Sequence, residues 1–232
     1  MFDFTPDEWT AIGLSLKVAV AATLCSLPIA ILAGYALARW SFPGKTLLNG
    51  LLHLPLVLPP VVTGYLLLVA FGRQGPIGGF LYDWLRLTLS FRWTGAALAA
   101  AVMAFPLMLR AIRLSFEIID RRFESAASTL GAGPLATFFT VTLPLAAPGI
   151  LVGIILGFAK ALGEFGATIT FVSNIPGETQ TIALAIHSYT QAPGGDAGTI
   201  RLAVVSVIIA LTAVIASEAL SQRLLKRTSV FQ

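Results

Sequence analysis

Along this chain long uncharged runs alternate with short polar intervals, and within the runs the apolar residues face every direction rather than one side of a helix. Five such runs stand out: Val18–Ala38, Thr46–Gly72, Thr94–Leu109, Leu145–Ala159 with its continuation, and Leu202–Ser217. About 20 apolar residues in helical form cross a hydrocarbon core, so the pattern predicts five membrane-spanning helices. The strands of a membrane barrel would instead alternate polar and apolar residues with a period of two, which these runs do not do.

The shorter segment Gln180–Thr190, "QTIALAIHSYT", lies between "NIPGE" and "APGGDAG". It is apolar enough for a helix but too short to span. A re-entrant or peripheral helix at the outer face is expected there, in preference to a sixth span, because irregular backbone at membrane depth needs protein or a watery path to cover it. The N-terminal "MFDFTPDEWT" lacks the basic start and small-residue cleavage site of a signal peptide, so the first run is expected to stay in the mature protein. No internal repeat or linker divides the sequence, and residues 1–232 read as a single transmembrane domain.

Charge sets the expected orientation. Nine of the fifteen Lys and Arg fall in three places: Arg39 and Lys45; Arg110, Arg113, Arg121 and Arg122; and Arg223, Lys226 and Arg227. The positive-inside rule assigns all three to the cytoplasm if there are five spans with the N-terminus outside and the C-terminus inside. Arg73, Arg86 and Arg92 then share one external loop and run against the bias. Composition agrees with lipid as the solvent, since 56% of the residues are hydrophobic and only 11% charged, well under the soluble norm of roughly 25%.

Chemistry of the catalytic kind is sparse. "FPGKT" at Phe42–Thr46 offers Gly-Lys-Thr, but Arg39 stands where a phosphate-binding loop needs its first glycine, so it reads as a basic turn. There is no paired-histidine zinc motif and no nucleophile elbow, Cys25 is alone, and His53 and His187 sit separately in apolar context. No catalytic residue, metal site, cofactor or nucleic-acid partner is expected.

Two places break the apolar monotony. The first is "GFAKALGEFGATIT", where Lys160 and Glu164 stand four apart on one helix face. Unpaired charges in lipid are costly, so the two are expected to pair with each other. One reading is a buried pair that fixes packing. The other is a face along a central path that continues through Thr168 to the hydroxyl and amide of Ser173 and Asn174, with Gly157, Gly163 and Gly166 easing movement between two subunits. The prolines of "LPLVLPP", Leu54–Pro60, mark a kink or a hinge.

The second break is "RRFESAASTLGAGPLATFFTVTLPLAAPGI", Arg121–Ile150. Gly131, Gly133 and Pro134 interrupt any helix, and Pro144 and Pro148 mark another break, so two short surface helices are expected ahead of the fourth span. The segment resembles the Glu-Ala-Ala cytoplasmic loop of bacterial ABC importer permeases: Ala126, Ala127, Gly131, Leu143 and Pro144 match its spacing over nineteen positions. Glu124 departs from it, lying one residue upstream of the family's glutamate position, which Ser125 occupies. On a helix that is a rotation of about 100°.

Together with "LHLPLVLPPVVTGYLLL", "AFPLMLRAIRLSFE", "ALGEFGATITFVSNIPGETQTI" and "APGGDAG", the chain resembles molybdate transport permeases over nearly its whole length. The resemblance implies the all-α transmembrane domain of a type I ABC importer in the bacterial inner membrane, with a coupling helix in residues 120–143. It implies a homodimer bound to two ATPase subunits and a soluble oxyanion-binding protein, with Glu124, Ala126, Ala127, Gly131, Leu143 and Pro144 at the ATPase contact. Molybdate is the expected cargo; tungstate or sulfate has the same shape and charge. A self-sufficient secondary transporter would be expected to show repeats and coupling carboxylates, of which only Glu164 qualifies.

Overall fold

A computed structural model describes residues 4–228, with side chains described to residue 216; the side chains of Arg223, Lys226 and Arg227 lie beyond that limit. The described residues are helical, without strands. They form α1 (Pro6–Arg39), α2 (Lys45–Val57), α3 (Pro60–Phe71), α4 (Pro76–Leu85), α5 (Trp93–Ile118), α6 (Arg121–Thr129), α7 (Pro134–Thr137), α8 (Leu143–Leu162), α9 (Gly166–Val172), α10 (Ile182–Gln191) and α11 (Asp196–Thr228). A π-helical turn, Phe138–Thr142, joins α7 to α8.

α5 is the central element, packed against α1 on one side and α8 on the other. Lipid tails are as apolar as leucine, so membrane helices associate by close approach rather than by hydrophobic exclusion. The sequence supplies small residues for this. Ala19, Ala22 and Ala30 of α1 and Ala96, Ala99, Ala100 and Ala104 of α5 are all buried. A Cβ on Gly34 would lie 3.3 Å from the backbone nitrogen of Arg113, and one on Gly153 2.8 Å from the Ile112 side chain. Ser115 Oγ donates across the α5–α8 contact to Ala146 O at 2.9 Å.

Polar residues set the depth of the bundle. The ammonium of Lys17 sits 3.8 Å from the centre of the Trp93 ring, and Arg39 ends α1. The 22 helical steps from Lys17 to Arg39 span about 33 Å, close to one hydrocarbon thickness. The first turns of α1 therefore stand clear of the core. α10 packs there, where Ala11 and Ile12 of α1, Ile182 and Ala185 of α10 and Leu202 of α11 share one cluster. This is the peripheral arrangement expected for Gln180–Thr190.

Two expectations need correction. Thr46–Gly72 is not one straight span: α2 and α3 meet at an angle of 112°. Leu58 and Pro59 are extended, and Pro59 and Pro60 donate no backbone N–H to carry the ladder across. Nor do Pro144 and Pro148 break the chain. Residues Pro134–Leu162 run as one continuous helix, because the π turn lets the Leu143 N–H reach back five residues to Phe138 O and loosens the backbone ahead of Pro144. The second short surface helix is simply the start of the fourth span.

A further element was not legible as such. α4 lies in the loop that carries Arg73 and Arg86, and both guanidinium groups sit over the ring of Tyr82, at 4.5 and 5.6 Å. Phe80 and Trp84 are largely exposed beside it, as aromatic residues at a membrane boundary commonly are.

Candidate functional site

α6 is a helix with no buried residue at all. Asp120 caps its start by accepting the Arg122 N–H at 2.9 Å. At its end Gly131, φ +87°, turns the chain, with Ala132 N–H bonded to Ala127 O and Gly131 N–H to Ser128 O. That is a Schellman stop. Space around Gly131 is open, so its requirement is the left-handed backbone rather than close contact.

Phe123, Ala126, Ala127 and Leu130 recur at helical spacing, with Phe123 57% and Leu130 88% exposed. The small residues singled out by sequence thus belong to a longer apolar stripe. Phe123 and Leu130 complete it, and the i, i+3, i+4, i+7 spacing was the available signal.

The upstream shift of Glu124 has a structural meaning. Its Oε1 lies 3.2 Å from Arg39 Nη2 at the end of α1 and accepts a 2.9 Å hydrogen bond from Thr142 Oγ1 in the π turn. Arg39 also donates to Ile119 O, the carbonyl that follows α5, at 3.0 Å. The Arg39 side chain is 7% exposed and that of Glu124 22%. One carboxylate therefore holds α6 to α1 and to the head of α8, turned away from the exposed stripe. Leu143 packs in the Met108–Phe116 cluster, and Pro144 lies exposed in the first turn of α8.

At the other sequence break, Lys160 Nζ donates to Glu164 Oε2 at 2.6 Å, and the Glu164 side chain is 2% exposed. Its second oxygen accepts the Ala167 N–H at 3.1 Å and so caps α9. The glycines nearby serve contacts within the chain: a Cβ on Gly157 would meet Met108, one on Gly166 would meet Pro60, and one on Gly64 would meet Ala167 O. Thr168 is buried. Ser173 is exposed, with φ +65°, beyond the far end of α9, about 10 Å of helix from the pair. Asn174 Nδ2 donates to Ser188 Oγ at 2.6 Å and ties this loop to α10. The pair and the Ser173–Asn174 loop are thus two separate clusters. Both histidines have local partners: His53 bonds Asn49 O, and His187 stacks near Phe165 and bonds Gln191.

The end of the bundle that holds α10 carries its own ion pair. Arg201 of α11 meets Glu8 of α1 through Nη2 at 2.7 Å and Nε at 3.2 and 3.3 Å, and the Glu8 side chain is fully buried. Glu8 also closes a capping box with Thr5. Among the described residues no group of His, Cys, Asp and Glu is arranged to hold a metal.

The sequence has close relatives. It is 58% identical to the molybdenum transport system permease protein ModB of Escherichia coli (strain K12) over 218 residues, 94% of this chain and 95% of that protein. Identity to the Haemophilus influenzae ModB is also 58%, over 220 residues, covering 95% of this chain and 96% of the relative. A sulfate transport system permease protein, CysW of Synechococcus elongatus, is 38% identical over 76% of this chain and 62% of its own. Among solved structures, the fold matches a bacterial ABC transporter that imports alginate, with TM-score 0.75 at 16% identity over 95% of this chain and 80% of that one. It also matches the MetNI methionine ABC transporter, with TM-score 0.67 at 14% identity over 94% of both chains. Residues 26–227 fit the family model for the inner membrane component of binding-protein-dependent transport systems, and the chain belongs to that family, with the helical fold of an ABC importer transmembrane domain.

Proposed function

We propose that this chain is the subunit through which molybdate crosses the bacterial inner membrane, driven by two separate ATPase subunits that dock on α6. The observation that carries the reading is the exposed Phe123–Leu130 stripe on a helix with no buried residue. A short amphipathic helix that presents its apolar side outward is suited to a groove on another protein. In this reading α6 faces the cytoplasm with Arg39, Lys45, Arg121 and Arg122, while the N-terminus and α10 face outward, toward a soluble oxyanion-binding protein.

Glu124 gives the docked helix a mechanical connection. A displacement of α6 acts on the end of α1 through Arg39 and on the head of α8 through Thr142. The π turn between α7 and α8 is a place where such motion can be absorbed by changing the hydrogen-bond register. A second copy of the chain would cover apolar surface on α2 and α3, where Leu47, Val57, Val61 and Tyr65 are exposed, and would complete a central path beside Lys160 and Glu164. The identity of the relatives supports molybdate, and the 38% identical sulfate permease supports a tetrahedral dianion as the class of cargo.

The test is reconstitution. The chain expressed with its genomic neighbours should co-purify with an ATPase and, in proteoliposomes containing the binding protein, take up labelled molybdate only when ATP is hydrolysed. Uptake driven by an ion gradient without ATP would instead establish a secondary transporter.

A further inference from the structure

Between α2 and α5 lies an open cavity of about 490 Å³ lined by Asn49, His53, Arg110, Arg113, Leu114 and Glu117. Two of its three charges are spoken for. Arg113 Nε donates to Glu117 at 2.7 Å and its Nη1 to Asn49 Oδ1 at 2.9 Å. Arg110 is exposed and, among the described residues, has no ion-pair or hydrogen-bond partner.

Depth makes that guanidinium unusual. Ile119 O is level with Arg39, to which it is bonded, and nine residues of helix place Arg110 about 13 Å further in. A cation at that depth facing lipid is costly, and such residues mark watery paths for charged cargo.

The surroundings suit an oxyanion. Guanidinium presents a planar fork of donors matched to tetrahedral oxygens, and the Asn49 amide, its oxygen taken by Arg113, retains an NH2 donor. His53 Nδ1 faces Asn49 O at 2.8 Å, an acceptor, so the proton lies on Nδ1. With Arg113 neutralised by Glu117, the cavity offers one net positive charge. That is enough to attract a dianion and too little to trap it.

Resting on the importer reading above, we infer that this cavity is the inner release site of the path, where the oxyanion is held by Arg110 and the Asn49 amide before it leaves for the cytoplasm. A phospholipid phosphate has the same chemistry, and the test separates the two sources.

Leu114, which lines the cavity and carries no charge, is changed to cysteine in a Cys25→Ser background. The complete transporter is placed in vesicles without anionic lipid and treated with an anionic methanethiosulfonate from the cytoplasmic side. Molybdate at about twice its dissociation constant should slow labelling about threefold by occupancy alone, chloride should not, and adding Arg110→Gln should remove the protection. Arg110→Gln should also cut uptake about tenfold, with partial recovery in Arg110→Lys.

Labelling unaffected by molybdate, or a thiol that never reacts, overturns the inference, because a release site must be both wet and occupied. Protection by added phosphatidylglycerol but not by molybdate overturns it in favour of a lipid headgroup. Either failure leaves the importer reading standing so long as the wild-type complex keeps its ATPase and its ATP-driven uptake.

Discussion

The two ends of the bundle each use one arginine–glutamate pair to join distant parts of the chain, and they use it differently. At the α10 end, Glu8 has no exposed side-chain surface, takes both Nε and Nη2 of Arg201, and caps its own helix besides. The elements around it are packed inward, with Ile182, Leu184 and Ala185 of α10 buried. At the α6 end, Glu124 receives one guanidinium nitrogen at 3.2 Å and one hydroxyl, and the helix that carries it buries nothing. One end is clamped by many contacts, and the other is held through Glu124 with one long contact from Arg121 Nη2 to Arg39 O at 3.5 Å. A rigid anchor facing a more loosely held helix suits the coupling proposed for α6.

That contrast can be broken most forcefully at the clamped end. Arg201→Met strands a fully buried carboxylate, and removing one partner of such a pair costs about 3–5 kcal/mol. Thermal unfolding of the purified variant in detergent should show a large loss of stability; a midpoint near wild type would mean that the α10 end is no more rigid than the other. Next in size is the α8–α9 junction. Glu164→Gln keeps a capping oxygen for Ala167 but leaves Lys160 without its counter-charge, at an expected cost of about 1–3 kcal/mol. Lys160→Met with Glu164→Gln should recover part of it. If single and double variants unfold at the same temperature, the pairing with Lys160 contributes nothing to stability.

How far the sequence reaches depends on the range of the interaction. Apolar runs are local, so the spans were legible, and so was the Lys160–Glu164 pair, whose members stand one helical turn apart. Gly131 was legible because a helix stop is written in neighbouring residues. Glu124 could be seen to be out of register but not why: its partner Arg39 is 85 positions away, and only tertiary packing brings them together. Glu8 and Arg201, 193 positions apart, gave no local sign of each other. The prolines misled in both directions. In "LPLVLPP" they produce a turn of 112°, sharper than a kink, while at Pro144 a π turn absorbs the missing bond and the helix continues.

At the α6 end the expected stability effects are small and the functional ones are not. Glu124→Gln keeps an acceptor for Thr142 but weakens the contact with Arg39, which is worth about 1 kcal/mol at this partial exposure. The variant should insert, fold and bind the ATPase, yet hydrolyse ATP with uptake reduced about tenfold. Uptake and hydrolysis falling together would mean that Glu124 supports docking itself and transmits nothing.

The smallest effect on the fold is expected from Leu130→Asp, and it is the sharpest test of what α6 is for. Leu130 is 88% exposed and makes no contribution to the buried clusters, so its replacement should shift stability by no more than about 0.5 kcal/mol, as surface changes usually do. A helix that merely returns the chain to the membrane would welcome the polar residue. A helix whose apolar stripe enters a groove on the ATPase would not, because the carboxylate must be desolvated on docking without a partner. The expected result is a wild-type melting curve together with loss of ATPase co-purification and of uptake. Phe123→Asp, one helical face away from the Arg39 clamp, should do the same. If both variants keep their ATPase and transport normally, the stripe is not the docking surface, and the contact must be sought on other exposed surfaces of this end.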